Sequence, residues 1–263
     1  MAMFKFVFAS VSVVLLAFLC LAQSQEPSVT GRGVIRLRTR VKIGESTKGL
    51  SRKRFFLIKG GVDQNKTLIE AIERQPIVSR DCYYRRMGAS EALIRWLNEN
   101  DCESVYCREI GTEDVTGPTA VPEFQLAFAA GEKEFGNPEL ARKWLTLNLA
   151  ENIREGFYKT RQEQLHAFVK QAESNSGASV LSVMGDRNGT AYFTDLEPGA
   201  YVISSILPVE VDNKAVIWNC GVTVKPGDLA SEKPFLISNK PDKNVKCVGT
   251  QQPLPMCVNS LQR

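Results

Sequence analysis

Residues 178–239 constrain the fold more than any other part of this chain, because turn-forming dipeptides cut them into short apolar runs. The runs are "SVLSVMGD" (179–186), "GTAYFTDL" (189–196), "GAYVISSILPVEV" (199–211), "KAVIWNCGVTVK" (214–225) and "KPFLISN" (233–239). Between them stand Asn188-Gly189, Pro198-Gly199, Asp212-Asn213 and Pro226-Gly227-Asp228. Glycine and asparagine tolerate the positive φ of tight turns, and proline presets the φ of a turn's second residue. In the fourth run Val216, Trp218, Cys220, Val222 and Val224 fall on one face. Strands this short bury an apolar face only by stacking against a second sheet, so the pattern predicts a β-sandwich.

Two further strands are predicted near the N-terminus. "GVIRLRTRVKI" (33–43) alternates strictly: Ile35, Leu37, Thr39, Val41 and Ile43 on one face, Arg36, Arg38, Arg40 and Lys42 on the other. Period two is the mark of a half-buried strand. "GESTKGLSRK" (44–53) reads as a polar loop and "RFFLIKGG" (54–61) as a second strand. The period then becomes helical. Leu68, Ile69 and Ile72 share a stripe, as do Leu93, Trp96 and Leu97 behind an N-capping Ser90. Residues 121–135 read as another helix. Residues 137–173, opened by Asn137-Pro138, read as one long helix with a bend at Gly156. The expected architecture is α+β: a β-sandwich of about seven strands from residues 31–61 and 178–240. A multi-helix insertion, residues 62–177, interrupts it, and an irregular disulfide-closed tail, residues 241–263, follows.

Lys5, the apolar core Val11–Leu21 and the small residues Ala22 and Ser24 have the layout of a secretory signal, residues 1–22. Its removal takes Cys20 away and leaves no apolar run long enough to span a membrane. The expected location is secreted or periplasmic. Six cysteines remain: Cys82, Cys102, Cys107, Cys220, Cys247 and Cys257. An even count in an exported chain points to disulfides. Three lie in the insertion and three in the C-terminal part, so full oxidation within one chain requires at least one bridge between the two. Cys102–Cys107, Cys82 with either of them, and Cys247–Cys257 are possible local pairs, and Cys220 can instead be a buried thiol.

The stretch "DRNGTAYFTDLEPGAYVIS" (186–204) resembles the signature of carboxypeptidase-regulatory-like (transthyretin-like) domains. Asp186–Gly189, Ala191–Phe193, Leu196, Pro198–Gly199 and Tyr201 match its turn, strand, leucine, Pro-Gly turn and tyrosine-bearing strand in order. "VIWNCGVTVKPGD" (216–228) is similar to that family's next strand and closing turn, and Gly33-Val34 to the opening of its first. The resemblance covers roughly residues 31–60 and 178–240; the helical insertion departs from the compact pattern. It implies a seven-strand Greek-key-type, prealbumin-like fold for the sandwich and a non-catalytic module that binds protein or carbohydrate. The residues themselves need no ligand here: the glycines serve turns, and Tyr201 can bury its ring and give its hydroxyl to nearby backbone, as a tyrosine corner does.

Signals for catalysis are sparse. His166 is the only histidine and is expected on a helix surface or in the core; no GxSxG, HExxH or P-loop occurs, and no metal or other cofactor is expected. A hydrolase would need carboxylates distant in sequence to converge in a pocket. Between Arg32 and Lys59 there are ten Lys/Arg against one acid, Glu45, whereas residues 62–176 carry 19 acids against 14 bases. Arg36, Arg38, Arg40 and Lys42, with Arg52, Lys53 and Arg54 opening the next strand, form the candidate site for an acidic partner, unless the acidic insertion or cross-strand acids cover them. The expected partner is another secreted or cell-surface protein or an acidic polysaccharide, not nucleic acid. A protein-interaction module would expose apolar residues on the long helix, and a carbohydrate-binding module a row of aromatic rings on the sandwich. Trp96 and Trp144 are expected in the core. Asn65 and Asn188 open glycosylation triplets, which matter only in a eukaryotic source.

Overall fold

The computed structural model describes residues 31–228 and 233–257; the signal-like segment, residues 1–22, lies outside them. The chain is mixed α+β. The predicted alternation of the first strand holds. β1 (Gly33–Ile43) buries Ile35, Leu37, Thr39 and Val41 and turns the basic residues outward. Along its first half it pairs antiparallel with β5 (Thr190–Leu196), and along its second half with β2 (Ser46–Gly49). On its other side it pairs parallel with β10 (Phe235–Ser238), which carries β11 (Cys247–Val248) at the edge. A second sheet has the order β4 (Leu181–Met184), β3 (Arg54–Lys59), β6 (Gly199–Ser204), β9 (Asn219–Val224). A third joins β12 (Thr250–Pro253), β8 (Lys214–Ile217) and β7 (Val209–Val211).

The first two sheets bury their inner faces in one cluster that includes Leu37, Phe55, Leu57, Phe193, Ile203 and Trp218. Phe55 meets Trp218 edge to face at 6.0 Å, a geometry that favours the ring quadrupoles. β3 is buried on both faces, which is why "FFLI" runs apolar without alternating. Phe56 and Ile58 point away from the first cluster into a second one, against α1 (Lys66–Arg74) and Ala172 of α7 (Phe157–Ser176). Between these two helices the chain builds a third core. α2 (Arg80–Arg86), α3 (Glu91–Glu99), α4 (Thr112–Val115), α5 (Pro122–Phe135) and α6 (Pro138–Lys143) carry it, and it centres on Tyr84, Trp96, Leu97, Phe124, Leu145 and Phe157. The predicted caps are used: Ser90 accepts from the Leu93 N–H at 3.1 Å, and Asn137 from those of Glu139 and Leu140.

The expected elements need three corrections. The described residues hold twelve strands, not seven. The 44–53 loop supplies β2 and the tail supplies β11 and β12. The third and fourth long runs each split in two, because the chain reverses at Ser205–Pro208, with Ile206 at φ 55°, and breaks at Trp218. The helix expected over 137–173 is also broken. After α6 come a 3₁₀ turn, Leu145–Asn148, and a π turn, Asn152–Gly156, before α7 begins. Leu145, Leu149, Ile153 and Phe157 all enter the third core. Residues four apart drift by about 40° per step around an α-helix, so a straight helix would carry the last of them off that face. Gly156 sits in the π turn because a Cβ there would lie 1.9 Å from the Tyr83 hydroxyl.

The tail is not closed by its own bridge. Cys247 is bonded to Cys220 at the core between the first two sheets, and Cys257 crosses to Cys82 on α2; Cys102–Cys107 is local. The parity argument therefore holds, with Cys82–Cys257 as the link between the insertion and the C-terminal part, and Cys220 is not a free thiol.

The motif that resembled a domain signature serves the turns. Asp186 accepts from the backbone N–H groups of Asn188 and Thr190, both at 2.8 Å. Gly189, at φ 73°, presents its carbonyl to the Thr39 N–H of β1 at 2.8 Å, and a Cβ there would lie 2.4 Å from the Thr39 oxygen. Tyr201 is buried and its hydroxyl donates to the Glu197 carbonyl at 2.8 Å. Asn65 is buried with its amide donating to Lys59 and Gly61, whereas Asn188 is exposed.

Candidate functional site

The outer face of the β1 sheet gathers four of the seven predicted basic residues. Successive residues on one face of a strand stand about 6.6 Å apart, so Arg36, Arg38, Arg40 and Lys42 span roughly 20 Å. Their cross-strand neighbours carry no acid: Tyr192 opposite Arg36, Thr190 and Leu236 beside Arg38, Gly49 and Ser238 beside Arg40, Thr47 opposite Lys42. Among the described residues none of the four side chains makes an ion pair or hydrogen bond, and the Nε atoms of Arg36 and Arg38 are covered without a partner. The helical unit does not cover the stripe, because it packs through α1 and α7 on the far side of the other sheet. Among the described residues Asp195, paired to Arg32 at 2.6 Å, and Glu45 in the β1–β2 turn lie at its two ends, Asp228 shares a surface hollow with Arg36, and Asp186 holds the N–H of Thr190 opposite Arg38. Adjacent charges lie within the ~8 Å Debye length of physiological salt, so their fields add along the stripe. Tyr192, 49% exposed, is the aromatic ring beside it. Sequence reasoning missed Tyr192, whose place is legible only once β5 is registered against β1.

The other three basic residues do not join this face. Arg52, at φ 54°, donates toward the Cys107 carbonyl, and Arg54 toward the Ser182 hydroxyl at 3.2 Å. Lys53 turns inward, its side chain 11% exposed, to Glu103 at 3.5 Å and Asp101 at 3.6 Å. They line a groove against α7 and, through Lys53, a polar cleft of about 250 Å³ between the helical unit and the β7–β8 hairpin.

Carboxylates do converge in that cleft, from Asp81, Asp101, Glu103, Glu210 and Asp212. Burial alone would raise Glu103, but the charges of Arg161, Lys53 and Arg80 hold its carboxyl below the usual range. A general acid of the glycosidase kind needs the opposite shift. Arg80 is fully engaged, donating to Asp81 at 2.9 Å, to the Cys102 carbonyl at 2.8 Å and to Asn98. His166 is exposed on α7 with no nucleophile bonded to it among the described residues.

The other two signs of function are partial. α7 exposes Tyr158 alone among its large apolar residues; Leu126, Leu140, Trp144 and Leu147 are exposed on the earlier part of the helical unit. Trp96 is in the core, its indole N–H on Asp114 at 2.8 Å, but Trp144 is not. The β1 sheet shows one exposed ring and no row. No described helix is long and apolar enough to cross a membrane.

No protein-family profile matches the chain, and no curated protein does. Among solved structures it is similar to a "putative carbohydrate binding protein" of Pseudomonas aeruginosa. That match has 14% identity over 80% of this chain and 90% of the other, with a TM-score of 0.27, an overlap too shallow to carry fold or ligand across.

Proposed function

We propose that this is a non-catalytic binding protein of the extracytoplasmic space that holds an acidic polysaccharide along the outer face of β1. The observation that carries the reading is that, among the described residues, no acid is a registered cross-strand partner of Arg36, Arg38, Arg40 or Lys42. A strand that needed its charges only for solubility would be offset by neighbouring acids, since opposite-charge pairs across strands stabilise a sheet. A linear array of unpaired cations with a ring beside it fits a linear polyanion whose sugars can lie on Tyr192. The scaffold of this reading is a prealbumin-like sandwich of the carboxypeptidase-regulatory-like kind. The Asp186–Gly189 turn and the Tyr201 hydroxyl bond support it.

Binding to an acidic polysaccharide and to its neutral counterpart, each at low and high salt, tests the site. The reading expects salt-sensitive binding of the acidic chain alone. It fails if neither binds, or if an acidic protein is retained while the polysaccharide is not.

A further inference from the structure

The cleft between the helical unit and the β7–β8 hairpin has a construction that joining two parts of a chain does not require. Its floor holds Lys53 and Arg161, whose side chains are 11% and 12% exposed. Their contacts to Glu103 are long, 3.5 Å and 3.6 Å, beyond the 2.7–2.9 Å of a charge-assisted hydrogen bond. Arg161 also donates to the Pro208 carbonyl at 3.1 Å, which leaves further N–H groups unspent. The rim is acidic. Glu210 uses one oxygen on the Arg80 N–H at 2.8 Å, and the exposed Asp212 side chain has no bond among the described residues. A clasp that served only to join the parts would close into packed contacts; here about 250 Å³ stays open between them.

Two backbone irregularities lie close in sequence to residues of its lining. The π turn Asn152–Gly156 runs directly into Phe157 and Arg161, and such turns are rare and frequent at functional sites. Ile206, two residues before Pro208, holds φ 55°, which is costly for a β-branched residue. Helix-end and hairpin-turn chemistry accounts for positive φ at Asp101, Asp212 and Asn213, but not for Ile206.

We propose that this cleft is a second binding site, for a small zwitterion of the α-amino acid class. The carboxylate goes down to Lys53 and Arg161 and the ammonium up to Glu210 and Asp212. Buried cations, which Glu103 and Asp101 face only at 3.5–3.6 Å, and more exposed carboxylates match the two ends of such a molecule, and the volume exceeds that of one water, about 30 Å³, several-fold. None of these residues belongs to the β1 stripe, so the site stands or falls independently of polysaccharide binding.

Calorimetric and NMR titrations of the full chain with L-alanine test it, with acetate and methylammonium as single-charge controls. Expected are saturable binding at or below about 1 mM, shifts at residues 157–161 and 206–213, and no comparable effect of either control. Asp212→Asn and Glu210→Gln, on the rim and outside the cores, should fold normally and each weaken L-alanine at least tenfold. Lys53→Gln tests the floor if it folds. The inference is overturned if L-alanine up to roughly 10 mM moves none of these residues, if acetate acts as well as L-alanine, or if the Asp212→Asn, Glu210→Gln double variant binds it unchanged.

Discussion

Arg38 and Lys53 belong to the same basic run in the sequence and meet opposite fates in the fold. Arg38 stands on a sheet face with threonine and leucine beside it and makes no ion pair among the described residues. Lys53 stands where the chain crosses from one sheet to the other and faces two carboxylates from the helical unit. The stripe leaves its charge without an ion pair among the described residues. The crossing uses its charge to hold the helical unit against the sheets. A strand's alternation decides only which side a residue faces; what covers that side is decided by elements far away in sequence. The two groups therefore make separable predictions, one about binding and one about stability.

The largest expected effect is on the stripe. Replacing Arg36, Arg38 and Arg40 together by serine should weaken acidic polysaccharide binding about 100-fold at low salt, taking about 1 kcal/mol for each surface cation near a charged partner. Stability in urea should stay near the wild-type value, because none of the three is paired in the fold. Unchanged affinity in the triple variant would sink the proposed site. Lys53→Met comes next. It leaves Glu103 with Arg161 but without its nearer cation, and should lower unfolding free energy by about 2 kcal/mol, less than the loss of a fully buried partner because Glu103 is 42% exposed. Urea unfolding measures this, and the affinity for polysaccharide should not move. If it does, the two basic groups are not the separate devices described above.

The local layer of this fold was legible and the long-range layer was not. The period of β1, the turn residues 186–189 and the caps at Ser90 and Asn137 follow from residues within one turn or one strand of each other, where backbone sterics and local hydrogen bonds dominate. The parity of the cysteines fixed a link between the insertion and the C-terminal part but not its ends. Residues 137–173 read as one helix because no proline or glycine before Gly156 forbids it; the break comes from four side chains reaching one core, which is a tertiary demand. The same limit applied to the site. Arg36–Lys42 could be placed on one face, but Tyr192 joins them only through strand register, and Lys53 leaves them because the helical unit folds over it.

A smaller effect tests the motif that resembled a domain signature. Tyr201→Phe keeps the ring and removes the 2.8 Å bond to Glu197. It should cost about 1 kcal/mol, the usual net worth of such a bond, with polysaccharide affinity unchanged. A loss well below that, read from the urea midpoint at constant slope, would mean the hydroxyl does not fix the turn.

The smallest effect concerns acid. Glu103 is lowered in the folded protein, because Arg161, Lys53 and Arg80 together outweigh its burial. A depressed carboxylate gives stability that is fully present above its unfolded value, about 4.3, and is lost as pH falls through the lower folded value. Glu103→Gln removes that part of the acid dependence. Below about pH 4.3 the variant's stability should fall less steeply than the wild type's, and near neutrality it should be slightly less stable. The difference should be modest, since the Glu103 side chain keeps contact with water. Unfolding followed across this range, with polysaccharide binding measured in parallel at neutral pH, separates the regions once more. A flatter acid limb with intact binding assigns Glu103 to holding the helical unit in place, whereas parallel acid limbs would mean its ion pairs contribute nothing to the fold.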